Sequence, residues 1–201
     1  MSTRRLAALA ITAVVLIAPS LAARAAAGSA PERATWLFAD LSPAERNALE
    51  SDLATVVPAA RPLLDRLAPL VAFDSATGLC RGEAWSCSYP NQGFDGRWGI
   101  HLDPQTMSGT YPSNRFLVYH EIGHAEWGLL MGGAQHAAFA DAVRRALGGR
   151  ACTDGQDRPC APIQEVFADE FARYVGGFAV SMSFYETPPL LDTRTFAAVL
   201  A

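Results

Sequence analysis

Phe116-Leu117-Val118-Tyr119-His120-Glu121-Ile122-Gly123-His124 is the stretch on which the reading of this chain turns. Apolar residues at 116, 117, 119 and 122 recur with the spacing of a helix, and two histidines stand four apart within it. On a helix their imidazoles lie about 40° apart in rotation and roughly 6 Å apart along the axis, so both can reach one ion. Glu121, turned by about 100° from His120, stands beside that ion, where a general base is needed. Tyr111-Pro112 leads into the helix, with Ser113 or Asn114 expected as its N-cap, and Gly132-Gly133 closes it after about Leu130.

Working outward, a second informative helix is expected from Pro162 to about Gly176. Glu165 and Asp169 are four apart and share one face of it. On composition alone Glu165, Asp169 and Glu170 compete as a third ligand, and carboxylate pairs of this kind are common on solvated helices. Between the two helices, Ala134 to Leu147 carries Phe139, Val143 and Leu147 on one side of a further helix. His136 and the Arg144-Arg145 pair on it are read as solvated residues.

Here the chain resembles a known family. His-Glu-x-x-His followed by a helix with Glu-x-x-x-Asp is similar to the gluzincin zinc metallopeptidases. Glu165-Val166-Phe167-Ala168-Asp169-Glu170-Phe171-Ala172 is similar to their small members, the minigluzincin or ImmA/IrrE-like branch. The resemblance spans roughly residues 97 to 177. It implies that His120, His124 and Glu165 bind Zn2+, that Glu121 is the catalytic base, and that Asp169 accepts a hydrogen bond from a liganding histidine, His120. It also implies a zincin-like core, α+β, mainly helical with a small sheet, acting on a peptide or protein substrate. Many gluzincins carry a downstream His or Tyr that stabilises an oxyanion, but this chain has no histidine after His136. Tyr185 is the first candidate for that role, followed by Arg173 and Tyr111, and none is assigned to it.

Upstream, Arg97-Trp98-Gly99-Ile100-His101-Leu102-Asp103 alternates in character and stops at Pro104, as a strand does. It is expected at an edge above the cleft, free to pair with an extended peptide. His101 reads as an ordinary strand residue in preference to a ligand. Residues 77 to 99 read as turns or a short hairpin, and Leu70 to Phe73 as a buried strand. Further back, Ser42-Pro43-Ala44-Glu45 is a capping box with Pro at the first helical position. The helix it opens carries Leu49, Leu53, Val56 and Val57 and ends at Pro58, and a second piece carries Leu63, Leu64 and Leu67 as far as Pro69. Residues 28 to 41 read as a mobile lead-in with Trp36-Leu37-Phe38 as its grip.

Residues 1-27 read as a secretory signal peptide. Arg4 and Arg5 precede an apolar run from Leu6 to Ala18, and Ala23-Arg24-Ala25 offers the cleavage site. The run is shorter than the roughly 20 residues a spanning helix needs, so residues 28-201 are expected as a single secreted or periplasmic domain, free of the membrane after cleavage. Four cysteines in an exported chain imply two bridges, and the local pairings Cys80 with Cys87 and Cys152 with Cys160 each close a short polar loop. A net charge of -4 over 201 residues, with all 16 basic residues Arg, gives no basis for a nucleic-acid partner. Oligomeric state is left open. The function expected is exported, zinc-dependent peptide-bond hydrolysis. The alternatives are a non-catalytic zinc-containing binding module and a zinc amidase acting on cell-wall peptides.

Overall fold

The computed structural model describes residues 35–75, 86–90, 94–103, 112–148, 162–179 and 190–201, all within one compact unit, Arg33–Ala201. The proposed leader, Cys80, Cys152, Cys160, Tyr111 and Tyr185 lie outside the described residues. The architecture is α+β, mainly helical with a small mixed sheet. In chain order the elements are β1 (Leu37–Phe38), α1 (Pro43–Ala54), α2 (Arg61–Leu67), β2 (Val71–Ser75), β3 (Ser86–Tyr89), β4 (Trp98–Leu102), α3 (Pro112–Leu129), α4 (Gly133–Ala146), α5 (Ile163–Gly176) and α6 (Thr193–Leu200). No helix among the described residues is long and apolar enough to cross a membrane.

Local chemistry sets the helix ends. Ser42 caps α1 as a capping box: its backbone N–H donates to Glu45 Oε2 at 2.7 Å, and the Glu45 N–H donates to its hydroxyl at 3.3 Å. Pro58 falls after α1 and opens a short 3-10 turn, since a proline inside the helix would remove a hydrogen bond and clash with the preceding turn. The motif helix α3 begins at Pro112, so Ser113 and Asn114 lie inside it and neither is its N-cap. Proline suits the first helical position because its missing N–H would be unpaired there anyway.

The strand order is β1-β2-β4-β3, with β1 and β2 both parallel to their neighbours and β3 antiparallel to β4. This corrects the expectation that the strand around Ile100 is an edge. β4 is internal, because the parallel pairing with β2 takes one of its sides and the β3 hairpin takes the other. The edge position falls to β3, from within the stretch read as turns or a hairpin. Leu37 and Phe38, expected in a mobile lead-in, pair with Ala72 and Phe73 as the opposite edge. Trp36 and Phe38 both pack their rings on Phe73, at 5.4 and 5.9 Å.

Residues directly opposite in neighbouring strands share a face. Val71, Phe73, Ile100 and Leu102 face the core, and Ser86 and Ser88 stand opposite Leu102 and Ile100 on that same face. α3 packs on it through β3 and β4 and lies along α5 on another side. α3 is buried nearly all round, which is the place for a helix with few charged positions. Beyond it, Phe139 of α4, Phe167 of α5 and Phe196 of α6 meet at 5.1 to 6.1 Å between ring centroids. Each buried ring of this kind contributes roughly 1.5–3 kcal/mol.

α1 and α2 belong to this core, as expected of scaffold: Leu49, Leu53, Leu63, Leu64 and Leu67 are buried in it. The Tyr119 hydroxyl of α3 lies 2.5 Å from the Asp52 carbonyl oxygen and 2.9 Å from that of Thr55, both where α1 ends. The Val57 N–H likewise donates to the Val175 carbonyl in the last turn of α5, at 2.9 Å.

Candidate metal centre

α3 and α5 approach closely because Gly123 offers no side chain. A Cβ there would stand 2.8 Å from the Ala168 Cα, inside any real contact, so the motif helix can lie this near α5 only with glycine at that position. Ala168 is small for the same reason. The contact sits between His120 and His124 on one helix and between Glu165 and Asp169 on the other, so it sets the distance between all four.

Across it, His120, His124 and Glu165 form the one group of three metal-capable side chains found among the described residues, with donor atoms all within 4.8 Å. The two imidazole Nε2 atoms are 3.2 Å apart, Glu165 Oε2 is 3.2 Å from His120 Nε2, and Glu165 Oε1 is 3.5 Å from His124 Nε2. Asp169 stands behind, its Oδ1 2.7 Å from His120 Nδ1. A carboxylate can only accept, so Nδ1 carries the proton and Nε2 is turned to the group. The expected placement of Asp169 is thus observed.

Burial alone would hold the His120 imidazole neutral. Hydrogen bonds to Asp169 and Glu165, with the charges of Glu121 and Asp169, outweigh it, and its pKa is pushed up to about 10. Glu165 loses solvation too, yet its bonds to His120 and His124 hold its carboxyl well below the usual range. The metal-free group is therefore held together through His120, with Asp169 at one ring nitrogen and Glu165 at the other.

The residues present fit a metal ion. Four ligands at about 2.0–2.1 Å in a tetrahedron stand roughly 3.3 Å from one another. The two Nε2 atoms stand at that spacing, 3.2 Å, and the Glu165 carboxylate brings one oxygen to 3.2 Å of the first and the other to 3.5 Å of the second, with one donor from each residue all within 4.8 Å. Two imidazoles and one carboxylate suit a borderline-soft divalent ion such as zinc, and three protein donors leave a fourth position open. Glu165 is the most accessible of the three, its side chain 37% exposed, so the group is reached from its side.

No family model, curated protein or solved structure matches the chain. The assignment of the site therefore stands on its residues.

Glu121 is buried beside the group. Its Oε1 accepts a hydrogen bond at 2.7 Å from the hydroxyl of Ser86 on the edge strand, and the Ser88 hydroxyl donates to the Glu121 backbone carbonyl at 3.2 Å. The Trp98 Nε1–H in turn donates to Ser88 Oγ, with its ring laid over Gly128 of α3, where a methyl group would collide with it. Neither serine was singled out from the sequence. The signal available was Ser86-Cys87-Ser88-Tyr89 before Pro90, a period-two run closed by a strand terminator.

Other sequence candidates lie elsewhere. His101 is buried on the sheet face turned from α3, its Nδ1 against Asp74 Oδ1 of β2, and is not part of the three-donor group. His136, expected in solvent, is half-buried: it stacks on Trp127 at 3.9 Å, with Nε2 3.0 Å from the Trp127 carbonyl. Arg173 is paired with Glu170 at 2.6 Å. Glu170, a possible ligand on composition, accepts from the Leu190 N–H at 2.9 Å and so holds the chain leading into α6. Cys87 is disulfide-bonded, while its expected partner Cys80 lies outside the described residues.

Proposed function

We propose that this chain is an exported zinc metallopeptidase of the gluzincin type, with His120, His124 and Glu165 as ligands. The observation that carries the reading is the convergence of His120, His124 and Glu165, one donor from each within 4.8 Å of the others, a three-donor set that leaves a fourth position of a tetrahedral ion free. A zinc ion held there would supply a Lewis acid that polarises a peptide carbonyl and makes water a competent nucleophile near neutral pH.

The chain's own residues supply the rest. Asp169 holds the His120 Nδ1–H, fixing the tautomer in which Nε2 offers its lone pair. Glu121 stands next in sequence, close enough for its charge to act on His120, with Oε1 occupied by Ser86. Its remaining oxygen, Oε2, takes a proton from the attacking water and returns it to the amine nitrogen as the peptide bond breaks. The disulfide at Cys87 supports an oxidising compartment, as the leader-like residues 1-27 do.

The test is metal analysis of the purified protein together with cleavage of a mixed peptide library and of cell-wall fragments. One zinc per chain and peptide cleavage are expected, with Glu121→Gln keeping the zinc and losing about 10²–10⁴-fold in rate. Wall cleavage without peptide cleavage would move the assignment to an amidase. Zinc with neither activity would make the domain a binding module, and a folded protein that takes up no zinc overturns the reading altogether.

A further inference from the structure

We infer that Ser86 is a positioning residue for Glu121: its hydroxyl, presented by the edge strand β3, occupies one carboxylate oxygen and thereby fixes which oxygen works as the base. The inference rests on the metallopeptidase reading and adds to it a residue outside both motif helices.

Glutamate has three side-chain torsions, and nothing in a His-Glu-x-x-His pentapeptide restrains them. Helical placement brings the Glu121 backbone to the right side of His120 but leaves its carboxylate free to swing. The Ser86 hydroxyl removes that freedom. At 2.7 Å the O–H donates to Oε1 at a length typical of a hydrogen bond to a charged acceptor. Both side chains are buried, at 7% and 5% exposure, so water competes little for the bond.

The strand that carries Ser86 is itself fixed. Two residues on, Ser88 donates to the Glu121 backbone carbonyl and accepts from the Trp98 indole, whose ring occupies the gap at Gly128. Ser86 and Ser88 therefore hold the same helical residue by its side chain and by its backbone. Cys87, between them, points to the other sheet face, opposite His101, and is disulfide-bonded. A slip of one residue would exchange the faces, turn Cys87 toward α3 and withdraw both hydroxyls. The register of the hairpin and the aim of Glu121 are thus one structural fact.

The experiment uses full-length zinc-loaded protein as wild type, Ser86→Ala and Ser86→Thr. It measures zinc content, steady-state kinetics on a peptide from the library, and Glu121 conformers in high-resolution crystals. Ser86→Ala is expected to keep its zinc, to lose about 10- to 100-fold in kcat with KM within about twofold, and to show Glu121 in more than one conformer. Ser86→Thr, which keeps the hydroxyl on a side chain suited to a strand, is expected to recover most of kcat and the single conformer. An alanine variant with Glu121 unmoved and kcat unchanged overturns the inference. So does a threonine variant that restores the Glu121 conformer yet stays as slow as alanine. Should the wild type cleave nothing, the hydrolytic reading fails separately, and the conformers alone decide: Glu121 spread in alanine and single in threonine upholds the role of Ser86, and Glu121 unmoved in alanine ends it.

Discussion

His120 and His101 are both buried, and each turns Nδ1 to the Oδ1 of an aspartate on a neighbouring element, Asp169 on α5 in one case and Asp74 on β2 in the other. Up to that point the two pairs are the same device for fixing an imidazole. They part at the second nitrogen. His120 Nε2 stands 3.2 Å from both His124 and Glu165, whereas around His101 no group of three metal-capable side chains gathers among the described residues. His101 has Tyr89 at 6.3 Å between rings and Cys87 as its cross-strand partner. A histidine–aspartate pair is therefore no metal signature by itself. Convergence at the second nitrogen is, and among the described residues only the helix pair provides it.

Alanine at each histidine is the strongest way to break that contrast. Zinc binding worth roughly 10–16 kcal/mol, shared among four ligands, is about 2.5–4 kcal/mol each, so His120→Ala should weaken zinc binding by about two to three powers of ten. His101→Ala should leave the affinity within about twofold. Its cost should appear in unfolding instead, at about 2–4 kcal/mol for a buried cavity and an aspartate left without its imidazole. Competition with a coloured chelator and denaturant unfolding read the two effects separately. Zinc lost in His101→Ala would show that the sheet face belongs to the site after all.

The aspartates sharpen the comparison at a smaller scale. Asp169→Asn keeps size and shape but weakens the hold on the His120 N–H, and partners of this kind are worth about 10- to 100-fold in metal affinity. Asp74→Asn makes the same chemical change on the sheet and should leave zinc affinity alone. Equal losses in the two variants would mean that zinc affinity follows general stability and not the orientation of His120.

The contrast also marks what could be read from the chain. Helix positions were legible because their signals are local: the Ser42 capping box, the proline stops and the four-residue spacings of His120 with His124 and of Glu165 with Asp169. The sheet was legible only as separate strands. Its order depends on pairings between distant segments, and a two-residue strand such as Leu37–Phe38 has no period to detect, so β4 was expected at an edge it does not occupy. Ser86 was hidden for a related reason. A hydroxyl acquires meaning when strand register sets it against Glu121, 35 residues away in sequence. His136 misled in the other direction, since its small neighbours gave no hint that the Trp127 ring would cover it.

The effect most particular to the His120 side of the comparison, and the smallest taken one pH unit at a time, is in pH. With its pKa raised from 6.5 to about 10, His120 carries a second proton at neutral pH, on the Nε2 that a metal needs. Zinc must displace that proton, so its apparent affinity should rise by about tenfold per pH unit over the range below 10 in which this is the only proton displaced. The same shift acts on the metal-free fold with the opposite sign. A group whose pKa is higher folded than unfolded stabilises the fold fully below its unfolded value of 6.5, and that contribution is lost as pH rises through about 10. Between those limits the metal-free protein should lose stability while zinc binds more tightly, so the gap in melting temperature between zinc-loaded and zinc-free protein should widen from pH 6.5 to 9. Thermal melts in matched buffers, with and without a chelator, measure that gap. His120→Ala should flatten it, His101→Ala should not, and a gap that stays constant in the wild type would show that His120 does not hold the displaced proton.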